Sequence, residues 1–196
     1  MTSRFRRPQG QRRYKRMFII AAEGTVTEPE YFSLFDEQSI VRVKCLRNRG
    51  NLPPKEALRR VREYVRKEGL KKGDEAWLVV DKDRWPDEHL AELHAWATSR
   101  KNHGLALSNP KFEYWLLLHF EEAGGVTTSG DCDRQLDKHL PNYNKHIEPQ
   151  HFTADRIQGA AARAKKRDTP PCADWPRKPG TTVYRLVERI LASNTQ

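Results

Sequence analysis

Apolar residues fall along this chain in short runs with two different periods. Met17–Ala22 (MFIIAA), Glu75–Val80 (EAWLVV) and His103–Ser108 (HGLALS) are nearly continuous and too short for helices, so they predict buried strands. Ile40–Leu46 (IVRVKCL) alternates apolar and polar residues at first, which predicts a strand with one exposed face near a sheet edge. Between these runs the period becomes helical. Thr27 and Glu30 stand at capping-box spacing, with Pro29 in the first turn, ahead of Tyr31, Phe32, Leu34 and Phe35. After a loop at Asn48–Pro54, Ala57, Leu58, Val61 and Val65 recur at core-facing intervals until Gly69 and Gly73 end the pattern. Pro86 permits a third helix, with Leu90, Leu93 and Ala97. Asn109 reads as the cap and Pro110 as the first residue of a fourth, whose Phe112–Phe120 stretch is apolar nearly all round.

Strand and helix therefore alternate four times, which predicts an α/β fold: a three-layer, mostly parallel sheet with right-handed crossovers and helices on both faces. The remainder differs. Gly124–Gly130 reads as a loop, Cys132–Leu140 and Thr153–Arg167 as helices, Thr169–Gly180 as a proline-rich connection and Thr182–Ala192 as a last helix. No internal repeat is present. These helices are expected to pack on the α/β core, making residues 17–196 a single domain.

In parallel sheets ligands bind beyond the carboxyl ends of the strands. Glu23 follows the first buried strand, and Asp81 and Asp83 follow the second. Carboxylates at one sheet edge repel unless compensated, and a hard divalent cation such as Mg²⁺ compensates them with oxygen ligands. Strand alternation lets Asp81 and Asp83 point to the same side. Glu23 can add a ligand or move a proton. Glu28 suits the positive end of a helix and can also reach toward the metal region. Ser108 and Asn109 end the third strand on the same edge, either as a helix cap or positioning phosphate or metal-bound water. Glu113, in an apolar helix, needs a basic partner or a place in the acidic site. Lys145 reads as a surface lysine or as a neutraliser of phosphate.

Other chemistry loses support. Phosphate-loop, dinucleotide and GxSxG fingerprints are absent. His139, His146 and His151 lack zinc spacing, and His119 reads as a core or supporting histidine. Trp77, Trp96 and Trp115 read as core, whereas Trp85, beside the DxD, can stack on a base or pack against the next helix. The three cysteines, Cys45, Cys132 and Cys172, form no CxxC pair and fit a reducing, cytoplasmic setting. No signal peptide or membrane-length apolar run is present.

Charge adds one feature. Arg4, Arg6, Arg7, Arg12, Arg13, Lys15 and Arg16 give residues 1–16 +7 of the net +10, leaving a mildly basic body. This stretch reads as a flexible arm (1–16) for nucleic-acid phosphates or as a solubilising tail.

The stretches FIIAAEGTVTEPEYF, WLVVDKDRW, LALSNPKFEYWLLLHF and YNKH together resemble the RloB-like family, from about Met17 to Tyr184. That family is associated with restriction and abortive-infection loci and is similar to the TOPRIM fold. The resemblance implies Mg²⁺- (or Mn²⁺-) dependent cleavage of DNA or RNA in anti-phage defence. Glu23 would act as general base or acid, Asp81 and Asp83 as metal ligands, and Lys145 on phosphate. A defence-system protein is a further implied partner. Two other readings stay open: a non-catalytic nucleic-acid-binding or signalling module, and a metal-dependent nucleotide phosphohydrolase or phosphotransferase.

Overall fold

The computed structural model describes residues 15–36, 41–47, 50, 53–82 and 85–194. Four parallel strands form the frame: β1 (Arg16–Ala22), β2 (Val41–Cys45), β3 (Glu75–Asp81) and β4 (His103–Asn109). A short β5 (Gly180–Thr181) joins antiparallel to β4, giving the order β2-β1-β3-β4-β5. The helices are α1 (Thr27–Ser33), α2 (Pro54–Glu68), α3 (Asp87–Thr98), α4 (Phe112–Leu117), α5 (Ser129–Asp137), α6 (Ala154–Arg167) and α7 (Val183–Asn194). The fold is thus α/β, with a mostly parallel sheet and additional carboxy-terminal helices.

Strand alternation divides the core in two. Phe18, Ile20, Trp77, Val79 and Ala106 face one side and pack under α1, α4, α6 and α7. Ile19, Ala21, Leu78, Val80, Leu105 and Leu107 face the other and meet Leu58 and Val61 of α2 and Leu90 and Leu93 of α3. Both faces of β1 and β3 are buried, which is why their sequences are apolar without a break. Truncating such a side chain, Leu78→Ala for instance, costs roughly 2–5 kcal/mol. The Trp77 indole lies across Gly104, its register partner; a Cβ there would sit 2.4 Å from the ring. β2 is the edge strand, as its alternation indicated, with Arg42 and Lys44 exposed and Val41 buried.

Several local expectations are corrected. Thr27 and Glu30 do not cap α1: its N-cap is Val26, without a side-chain cap bond, and both polar groups serve a distant loop instead. Asn109 is not a helix cap, because β4 runs through it and α4 starts after Lys111; its Nδ2 donates to Pro176 O at 2.9 Å. α4 ends at Leu117, short of Phe120. The real capping box, Thr128 with Asp131, opens α5 at Ser129. Arg16 is not part of an arm, since it opens β1 and pairs with Glu75. Arg4, Arg6, Arg7, Arg12 and Arg13 lie outside the described residues.

Candidate active site

β1 and β3 are adjacent and parallel, so their carboxyl ends deliver Glu23 and Asp81 to the same edge. Glu23 N–H extends the ladder by donating to Val79 O at 3.0 Å. Its carboxylate then bridges two groups of the β3 terminus. Oε2 accepts from Asp81 N–H at 3.3 Å and Oε1 from the Trp85 indole N–H at 3.0 Å. From the far side Arg60 of α2 donates to Ala22 O at 2.5 Å and Leu46 O at 3.0 Å, pinning the ends of β1 and β2. Asp83 lies outside the described residues.

Two more acids enter from helices. Glu28, buried in the first turn of α1, accepts from Gly24 N–H at 3.0 Å. Position 24 must be glycine for this approach: a Cβ would stand 2.2 Å from Glu28 Oε2. Glu113, buried in the first turn of α4, is ion-paired with Lys145, and the Tyr143 hydroxyl donates to it at 3.5 Å.

The loop bearing Tyr143 and Lys145 is latched onto α1. Thr27 Oγ1 donates to Lys145 O at 2.8 Å and lies 3.0 Å from Tyr143 OH. The Glu30 carboxylate accepts from Ile147 N–H and faces His146 Nδ1, each at 2.8 Å. Lys145 has a left-handed backbone, φ +77°, held by these bonds. The residues that read as a helix cap are what fasten this loop over the site.

Electrostatics show the acids acting on one another. Burial and then the charges of Glu28, Glu23 and Glu113 push Asp81 well above the usual carboxylate range, against a backbone N–H bond from Phe112. Burial also raises Glu28, with Glu113 adding to the rise and Lys145 and Gly24 N–H opposing it. Burial works to lower Lys145, but its bond to Glu113 and the charges of Glu113, Asp133 and Asp81 together outweigh that and raise it. Tyr143 is raised by burial and by Glu113.

Glu23, Glu28, Asp81 and Glu113 are all hard oxygen donors of the kind Mg²⁺ accepts. Among the described residues, no three His, Cys, Asp or Glu side chains are grouped closely enough to hold a metal ion. What fits a cation is the oxygen chemistry of the set and the crowding of acids that raises Asp81.

Other candidates take supporting positions. Ser108 is buried, its hydroxyl 2.8 Å from Thr181 Oγ1, and its carbonyl accepts from Lys82 N–H at 2.8 Å. With Asn109 it joins the proline-rich segment to β4. His119 is a core histidine, 3.0 Å from Tyr31 OH, and burial pushes it down to about 3. His139, His146 and His151 face Glu121, Glu30 and Glu148 respectively. Trp85 packs at the edge of the α2–α3 core and uses its N–H on Glu23. Tyr143 and Arg60 were not anticipated; the only sign of Tyr143 was an aromatic in a polar loop, and Arg60 had none.

No described helix is long and apolar enough to cross a membrane. Comparison with curated proteins and with solved structures yields no match. The family described as RloB-like protein matches residues 18–190, which takes in β1 to α7 and all the acids of this edge. The chain belongs to the RloB-like family.

Proposed function

We propose that this protein is a Mg²⁺-dependent (or Mn²⁺-dependent) endonuclease acting in anti-phage defence. The observation that carries the reading is the concentration of acids at the carboxyl edge of β1 and β3. Glu23, Glu28 and Glu113 all raise the neighbouring Asp81. Apolar cores tolerate such a set only with a counter-charge. The resemblance of the family to TOPRIM nucleases supplies the reaction class.

Asp81, with Asp83 and Glu23, would hold the metal. When bound, Mg²⁺ supplies Lewis-acid polarisation of a phosphoryl oxygen and eases deprotonation of water. Glu23 is the proton-transfer group, and the Asp81 N–H and Trp85 indole hold its carboxylate in one orientation. Glu113 holds Lys145 beside the acids, where its ammonium neutralises charge on the phosphate. Glu28 is held beside the other acids by its bond to Gly24 N–H. Lys15 and the arginines of the amino-terminal segment add phosphate contacts outside the site.

The test is a cleavage panel of single- and double-stranded DNA and RNA, tRNA included, with and without Mg²⁺ or Mn²⁺, beside free nucleotides. Metal-dependent scission lost in folded Glu23→Gln and Asp81→Asn proteins is expected. Both variants cutting at the parental rate would overturn the assignment. Turnover of nucleotides alone would move it to phosphohydrolase chemistry.

A further inference from the structure

The proline-rich segment between α6 and α7 does more than connect them. Together with the end of α6 it encloses an open cleft of about 260 Å³. The lining carries three cations, Arg167, Arg177 and Lys178, against one carboxylate, Asp168. Asp168 is already answered, at 2.7 Å by Arg185 Nη2 and at 2.8 Å by Tyr184 OH. Arg177 is braced, 2.7 Å from Asp174 and with its guanidinium 4.2 Å from the centre of the Trp175 ring. Arg167 and Lys178 are exposed, and the described residues show no carboxylate paired with either. Arg167 lies beside the Tyr114 hydroxyl. A concave wall with a braced guanidinium and two cations that no described carboxylate answers suits a phosphate better than it suits folding, since like charges held together repel.

The position of the cleft gives it a role. Asp81 is in register with Ser108, and Ser108 with Thr181, which lines the cleft. The cleft wall is therefore two strand spacings, about 10 Å, from Asp81. A charged rim joins the two. Lys82, next to Asp81, reaches Asp87 at 2.8 Å, and the other Asp87 oxygen lies 4.0 Å from Arg177 Nε.

We propose that this cleft binds a backbone phosphate of the polynucleotide, a short way along the strand from the one held at the acids. The inference rests on the nucleic-acid reading above but adds a separate anion site, independent of the amino-terminal arm.

It is tested on the full chain in EDTA, where cleavage cannot interfere, by binding a labelled single-stranded oligonucleotide across a salt series. Arg167→Gln/Lys178→Gln is the variant, and Arg66→Gln/Lys67→Gln on α2 is the charge-matched control. All four side chains are exposed, so unchanged circular dichroism is expected. The cleft variant should bind about 5–10-fold more weakly. Its plot of log affinity against log salt should be shallower by about 0.7, the value for one phosphate released on a single strand. An effect equal to the control's, or none, overturns the inference, as does a mononucleotide that competes as tightly as the oligonucleotide. The two readings fail separately. Binding lost in the cleft variant, with no substrate cut by the parent, keeps the cleft and sinks the nuclease. Cleavage by the parent with unchanged binding in the cleft variant does the reverse.

Discussion

Strand β3 begins and ends on an acid, and the two ends are treated in opposite ways. At its start Glu75, 2% exposed, is fully answered. Arg189 grips both carboxylate oxygens at 2.7 Å, Arg16 adds a third contact, and the Trp77 indole donates at 3.0 Å. At its end Asp81 is crowded by Glu28, Glu23 and Glu113, whose charges add to burial in raising it, while Glu113 pairs with Lys145. A compensated carboxylate ties elements together; here it joins β1, β3 and α7. An uncompensated group destabilises the metal-free fold and is kept where a ligand supplies the missing charge. The same residue chemistry on one strand thus serves structure at one edge and fits chemistry at the other.

The contrast can be broken most forcefully at Asp81. Asp81→Asn should lower metal-dependent cleavage roughly 10²–10³-fold, in line with losing a preorganised charged group. In EDTA the same change should raise Tm by about 2–4 °C per kcal/mol of relieved repulsion. A thermal melt showing loss of stability instead would equate Asp81 with Glu75. Glu75→Gln should behave oppositely. It leaves two arginines short of charge and should cost about 3 kcal/mol, the low end for a buried pair because Arg189 is half-exposed. Cleavage per folded molecule should hold, as denaturant melts and rate measurements together will show.

A third buried ionisable group separates burial from charge crowding. His119 titrates near 3, below its unfolded value near 6.5, so the unfolded chain binds the extra proton between those limits. Its contribution is fully present above about pH 6.5 and is lost as pH falls toward 3, up to a few kcal/mol. Acid unfolding of His119→Phe should show a flatter slope in that window; an unchanged slope would assign acid sensitivity to the carboxylates. The smallest effect is expected at Trp85. Trp85→Phe keeps the packing but removes the N–H held by Glu23, and should lower the cleavage rate by about fivefold, near 1 kcal/mol. An unchanged pH–rate profile would show that the indole does not position Glu23.

Much of this was legible in the chain. The runs MFIIAA, EAWLVV and HGLALS gave parallel buried strands because both faces of a central strand are apolar. Their ends placed Glu23 and Asp81 at one edge. Less legible were polar residues with two possible partners. Thr27 and Glu30 satisfy the local spacing of a cap, yet they bind residues more than a hundred positions away. Asn109 and Pro110 look like a helix start, but β4 continues and the Asn109 side chain bonds to Pro176. The two-residue β5 was hidden in a proline-rich stretch because a strand that short has no period.

What the sequence determined by itself is therefore the sheet, its parallel order of strand and helix, and the acids at its carboxyl edge. Those follow from local period and from topology. Tertiary structure alone decided that Glu28 and Glu113 join them, that Lys145 answers Glu113 from a loop latched to α1, and that Arg16 belongs to the fold. The physical reason is the same in each case. A charged side chain takes whichever partner burial brings near it, and that partner is set by packing across the whole chain rather than by its neighbours in sequence.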